Sequence, residues 1–188
     1  MPNLQRDSIV NTINQGIRRD IEVALANNCL RAAIILIFSG IDAMTYLDLP
    51  ENETDVTRGH FIRWCDRYIR FPCQEQLTGA DLYGARCSML HTYGAVSRLS
   101  RAGKCRKVGY MDKSVPEIRA NKAIDPTLVL VSVPGLRDAF FAGMDRFLVD
   151  AFADKKKAPV VESRIQTFVH AFPTKGKIKR VAPQHNAE

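Results

Sequence analysis

The sequence predicts an all-α fold, a bundle of about five to six helices with a small two-stranded β insert. Three observations carry this reading. Ile9, Ile13, Ile17 and Ile21 recur every fourth residue near the N-terminus, the period of an amphipathic helix. Residues 29–47 are apolar on nearly every face, as a central buried helix must be. TLVLVSV, Thr127 to Val133, has a β-branched content that suits a strand better than a helix.

The first helix is expected from about Leu4 to Asn27, with Val10 and Ala24 flanking the isoleucine stripe and Arg6, Asn14, Arg18 and Arg19 on the opposite face. Asn27-Asn28 offers a break and a cap, so a second helix runs from Cys29 to Leu47 as an antiparallel neighbour of the first. An acidic loop with Pro50 follows, and Thr54 or Asp55 is placed to cap a third helix over Val56 to Ile69. There Phe61, Trp64, Cys65, Tyr68 and Ile69 fall at helical spacing and read as core. After Phe71-Pro72 a fourth helix is expected from Thr78 or Gly79 to Arg101.

The pattern then changes. Lys104 to Met111 and Thr127 to Val133 read as the two strands, separated by a polar stretch with Pro116 and Pro126. A fifth helix over Val133 or Gly135 to Phe152 carries Leu136, Phe140, Met144, Phe147 and Leu148 on one stripe, and a sixth is expected from Val160 to Phe172. Residues 1–173 form one helical domain with the insert at 104–133, and residues 174–188, with Lys175, Lys177, Lys179 and Arg180, form a flexible basic tail.

Hydrophobic residues make up 46% of the 188-residue chain and charged residues 25%, which excludes a wholly disordered protein. The net charge of +7 favours a polyanionic partner but equally serves solubility. The most apolar run, Ala32 to Phe38, is far shorter than the roughly 20 residues a membrane span needs, so no membrane association is expected. No secretory signal pattern opens the chain, and a cytoplasmic location is expected. Five cysteines without a C-x2-C pair fit neither a disulfide framework nor a zinc site. His60, His170 and His185 show no metal-ligand spacing.

Chemistry is suggested at one place, Gly84-Ala85-Arg86-Cys87-Ser88-Met89-Leu90-His91-Thr92-Tyr93, on the expected fourth helix. A guanidinium carries a permanent charge in a rigid fork that matches phosphate, and an imidazole exchanges a proton near neutral pH. The pair suits phosphodiester cleavage without a metal or cofactor. Asp42, inside the apolar second helix, is costly to bury unless paired. It reads as the partner of an arginine such as Arg86. Just past the motif, Arg98, Arg101, Lys104, Arg106 and Lys107 put five cations within ten residues, suited to an RNA backbone or to a solvated helix end.

The order R-x4-H-x-Y resembles the R-x4-6-H motif of the HEPN superfamily, all-α proteins that are often RNases, and in particular the variant with tyrosine found in HEPN toxins. The resemblance implies a HEPN-like bundle with Arg86, His91, Tyr93 and Asp42 as site residues. It implies a metal-independent endoribonuclease of bacterial defence or a toxin system, without cofactor. His91 would move the proton of a ribose 2′-hydroxyl or of the leaving 5′-oxygen, and Arg86 would stabilise charge on phosphorus, leaving a 2′,3′-cyclic phosphate and a 5′-hydroxyl. On a helix His91 lies about 140° from Arg86 and Tyr93 within about 20° of it, so one helix does not aim both groups at one point. HEPN RNases meet this by forming a homodimer with one composite site. In the tyrosine branch a partner nucleotidyltransferase, the antitoxin, attaches AMP to that tyrosine. The chain departs from the family at Cys87, where a polar residue commonly follows the arginine. The alternatives are a non-catalytic HEPN-like module that binds RNA or protein, and a helical transcription or scaffold protein outside the family.

Overall fold

The described residues begin with a π-helical stretch, Val10–Arg18, that continues without a break as α1, Arg19–Ala26. Its isoleucine stripe is turned inward, with Ile13 and Ile21 buried and Ile17 packed beside them. Asn28, at φ 57°, takes the left-handed conformation that asparagine tolerates and reverses the chain into α2, Leu30–Asp48. The computed structural model describes residues 10–112, 117–120 and 123–168. The expected start of the first helix and the basic tail lie outside the described residues; the last helix, expected to reach Phe172, already ends at Ile165, where Thr167 turns back to the Arg164 carbonyl.

Helix α2 is central. Ala33, Ile34, Ile37, Phe38, Ile41, Met44 and Leu47 are buried, and the helix packs against α1, α3, α4, α6 and α7, whose ranges are Arg58–Tyr68, Gly79–Thr92, Val133–Ala153 and Lys157–Ile165 for the last four. It is also the one described helix long and apolar enough, by composition, to cross a membrane, although its most apolar run is short. Here its apolar side chains are the centre of the core.

Thr57, not Thr54 or Asp55, caps α3. Its Oγ1 accepts from the His60 N–H while His60 Nδ1 accepts from the Thr57 N–H, a reciprocal box in which histidine takes the place of the usual glutamate. Phe61, Trp64, Cys65 and Tyr68 are core, as their spacing requires, and Trp64 and Tyr68 meet Phe147 of α6 in edge-on ring contacts. α4 starts at a second box, Thr78 with Asp81. Its first residue, Gly79, runs so close to α3 that a Cβ there would lie 2.3 Å from the Ile62 carbonyl oxygen. Backbone cannot swing away as a side chain does. Gly79→Ala should therefore cost about 2 kcal/mol, read as a lowered urea midpoint with unchanged slope.

The expected long fourth helix is two helices. α4 ends at Thr92 because Tyr93 adopts a left-handed φ of 52° and its N–H, with that of Gly94, returns to the Met89 and Ser88 carbonyls. Ser97 then caps a single turn, α5, Arg98–Arg101. The helical period continued through this break, which is why the sequence reads as one element.

Among the described residues the insert has three strands, not two. β1, Lys107–Met111, pairs in parallel with β3, Leu128–Ser132, and β2, Ile118–Ala120, pairs antiparallel on the other side of β3. β2 is three residues long with one inward apolar side chain, Ile118, too short for alternation to show. β3 is central, with Val129 and Val131 fully buried. Ser132 ends it and caps α6, its Oγ accepting from the Gly135 N–H. Leu136, Phe140, Met144 and Phe147 of α6 are wholly buried. α7 starts three residues before the expected Val160, because Pro159 fits a first helical turn and Asp154 Oδ1 accepts from the Lys156 and Lys157 N–H groups.

Candidate functional site

Arg86 projects from α4 toward α2, and its Nε donates to Asp42 Oδ2 at 2.7 Å. Both side chains are about three-quarters covered, and the guanidinium lies 5.9 Å from the ring centroids of Phe61 and Tyr83. The costly carboxylate of α2 is thus paired. Burial pushes the Asp42 carboxyl above the usual aspartate value, and the hydrogen bond and charge of Arg86 offset only part of that rise. Burial works against the Arg86 charge too, but Asp42 outweighs it and holds the guanidinium more firmly protonated. Cys87, partly buried, interacts with the Tyr83 hydroxyl and with Arg86.

His91 stands exposed in the last turn of α4 and, among the described residues, has no hydrogen-bond partner. Arg86 turns to α2 while His91 faces solvent, the divergence that helix geometry requires. Tyr93 does not return beside Arg86. The left-handed turn takes it off the helix, and it is 65% exposed. The structure therefore joins Asp42 and Arg86 and leaves His91 and Tyr93 free at the end of α4.

The five cations past the motif divide in the same way. Arg98, Arg101 and Lys104 are exposed and, among the described residues, have no acidic partner. Arg106 is occupied within the fold. Its Nη2 donates to Asp81 Oδ2 at 2.7 Å and to the Gln76 carbonyl at 2.6 Å, Nη1 donates to Glu75, and its backbone N–H donates to Asp81 Oδ1 at 2.8 Å. Lys107 pairs with Asp125 at 2.9 Å. The expectation that these two hold RNA meets side chains already engaged with carboxylates, a consequence of strand β1 beginning here.

Sequence reading missed Arg58, an exposed arginine of α3 whose charge reaches the Tyr83 hydroxyl beside Cys87 and Arg86. It also missed Asp81, only 2% exposed, which ties the start of α4 to β1. The Thr-x-x-Asp spacing at the helix start was a signal for the cap, but nothing in it foretold Arg106. His60, without metal-ligand spacing, has a structural place between Thr57 and Glu53, with Nε2 3.1 Å from the Glu53 carboxylate. All five cysteines are free.

No family model matches the chain, and no curated protein and no solved structure matches it either. What the site does must be argued from its own chemistry.

Proposed function

We propose that the protein is a metal-independent endoribonuclease of HEPN type, cutting RNA by attack of a ribose 2′-hydroxyl. The observation that carries this reading is the exposed His91, without a hydrogen-bond partner among the described residues, five residues after a guanidinium that Asp42 holds in place. An imidazole free to exchange its proton supplies acid-base catalysis, and a fixed cation favours the charge that develops on phosphorus. Arg98, Arg101 and Lys104 hold the strand beside the site. Arg106 and Lys107 have no part in it.

Since Arg86 and His91 face different ways, the reading requires a homodimer in which the histidine of one copy completes the arginine of the other. Its setting is bacterial defence or a toxin system in the cytoplasm, and the exposure of Tyr93 leaves its hydroxyl open to an antitoxin nucleotidyltransferase. The test is incubation of a labelled structured RNA with the wild-type protein in EDTA, with product ends mapped and sedimentation run alongside. Cyclic phosphates and 5′-hydroxyls from a dimer are expected; a monomer, or intact RNA across several substrates, would sink the reading.

One observation favours a second reading, a non-catalytic module that binds RNA or protein. The Asp42–Arg86 pair is close enough to be structural only, and Cys87 beside it contributes no strong hydrogen-bond donor. In that case the wild type binds RNA through the free cations and leaves it uncut.

A further inference from the structure

A cavity of about 600 Å³ opens past the C-terminal end of α4, where that end meets the start of α2 and strand β1. His91 is not in its lining, but Tyr93, two residues on, forms one wall. The wall chemistry is divided. Ile34, Met89 and Met111 provide apolar lining with two deformable thioethers, and Tyr93 adds an aromatic ring that is largely exposed. The lining also includes Arg31, exposed and without an acidic partner among the described residues, and Asn28, whose side chain is a carboxamide. A flat heterocycle suits the aromatic and thioether surfaces, a phosphate suits the guanidinium fork, and a carboxamide offers both a donor and an acceptor to a base edge.

We propose that this cavity receives one unstacked nucleotide of an RNA strand, with its base against Tyr93 and the methionine wall and its phosphate on Arg31. A base held in a duplex stack cannot enter a recess of this kind, so the substrate class is single-stranded RNA, a loop or an end. The placement beside His91 rests on the ribonuclease reading; the binding does not. The ligand chemistry is that of a nucleoside monophosphate, whether part of a strand or free.

Cys29 lines the cavity and is the one exposed cysteine of the five, which gives a readout independent of cleavage. Its alkylation by N-ethylmaleimide is followed by peptide mass spectrometry with an unstructured RNA oligomer, a matched duplex, or millimolar AMP, GMP, CMP or UMP. The single strand is expected to slow alkylation of Cys29 where the duplex does not, and Arg31→Ala to raise the protecting concentration about tenfold. Tyr93→Ala should weaken protection as well, with the unfolding midpoints of both variants checked against wild type. No protection by the single strand, protection by free mononucleotides alone, or protection unchanged by both substitutions would overturn the proposal. Cleavage is scored in the same samples. Protection without cleavage keeps the pocket and removes the nuclease; cleavage with Cys29 unprotected and indifferent to Arg31→Ala does the reverse.

Discussion

His91→Ala is expected to lower RNA cleavage by about 10² to 10⁴-fold while leaving the unfolding midpoint unchanged. Both halves follow from one fact: the imidazole is exposed and makes no hydrogen bond among the described residues. Its removal leaves no cavity, no unpaired buried group and no broken cap, so the folded state should barely register it. On the proposed chemistry, however, it is the group that carries the proton of the attacking or leaving oxygen. Arg86→Ala makes the instructive contrast. It should also abolish cleavage, but it strips Asp42 of its 2.7 Å partner and leaves a half-buried carboxylate alone, so that variant should lose stability too. Cleavage assays paired with thermal melts of the two variants separate chemistry from folding. Full activity in His91→Ala would end the nuclease proposal, whatever Arg86→Ala does.

Asp81→Ala is expected to cost about 3 kcal/mol, measured by urea unfolding near neutral pH. The carboxylate is 2% exposed and serves three groups: the Thr78 N–H of the α4 cap, the Arg106 N–H at the entry to β1, and the Arg106 guanidinium. Its loss orphans two backbone donors and leaves Arg106 with Glu75 alone as counter-ion. Burial pushes the Asp81 carboxyl up, but the Arg106 side chain and the two backbone donors outweigh it and hold it below the usual aspartate value. A carboxyl depressed on folding contributes its stability above the unfolded value of about 3.9 and loses it as pH falls through the lower folded value. The stability gap between wild type and Asp81→Asn should therefore be full at neutral pH and close below about pH 4. A gap that stayed constant from pH 7 to the acid limb would mean that the ion pair contributes no pH dependence.

Much of the helical architecture was legible because it rests on local repetition. The stripes Ile13–Ile17–Ile21 and Leu136–Phe140–Met144–Phe147 point where a 3.6-residue period says they must, and α2 is buried because it has no polar face to leave outside. Elements that depend on a single backbone angle or a distant partner were not legible. Nothing in the run from His91 to Arg101 announces that Tyr93 turns left-handed, since tyrosine rarely does, so the helix break and the release of Tyr93 from the motif face came only with the fold. Strand β2 is too short to show alternation, and it exists because β3 has a free edge for it.

The same division holds at the site. The residue types alone determined that Arg86 and His91 diverge on one helix, and that Asp42 in an apolar helix needs a partner, because helix geometry and the cost of a buried charge act within a few residues of chain. Which cation answers which carboxylate was decided by tertiary structure. Arg86 pairs with Asp42 across 44 residues and Arg106 with Asp81 across 25, while Arg98, Arg101 and Lys104 are left to solvent. In the sequence Arg98, Arg101, Lys104 and Arg106 have the same charge and the same neighbourhood. They differ only in what the packing of α2, α4 and β1 brings within hydrogen-bonding distance, and a strong charge-assisted bond exists only at that range.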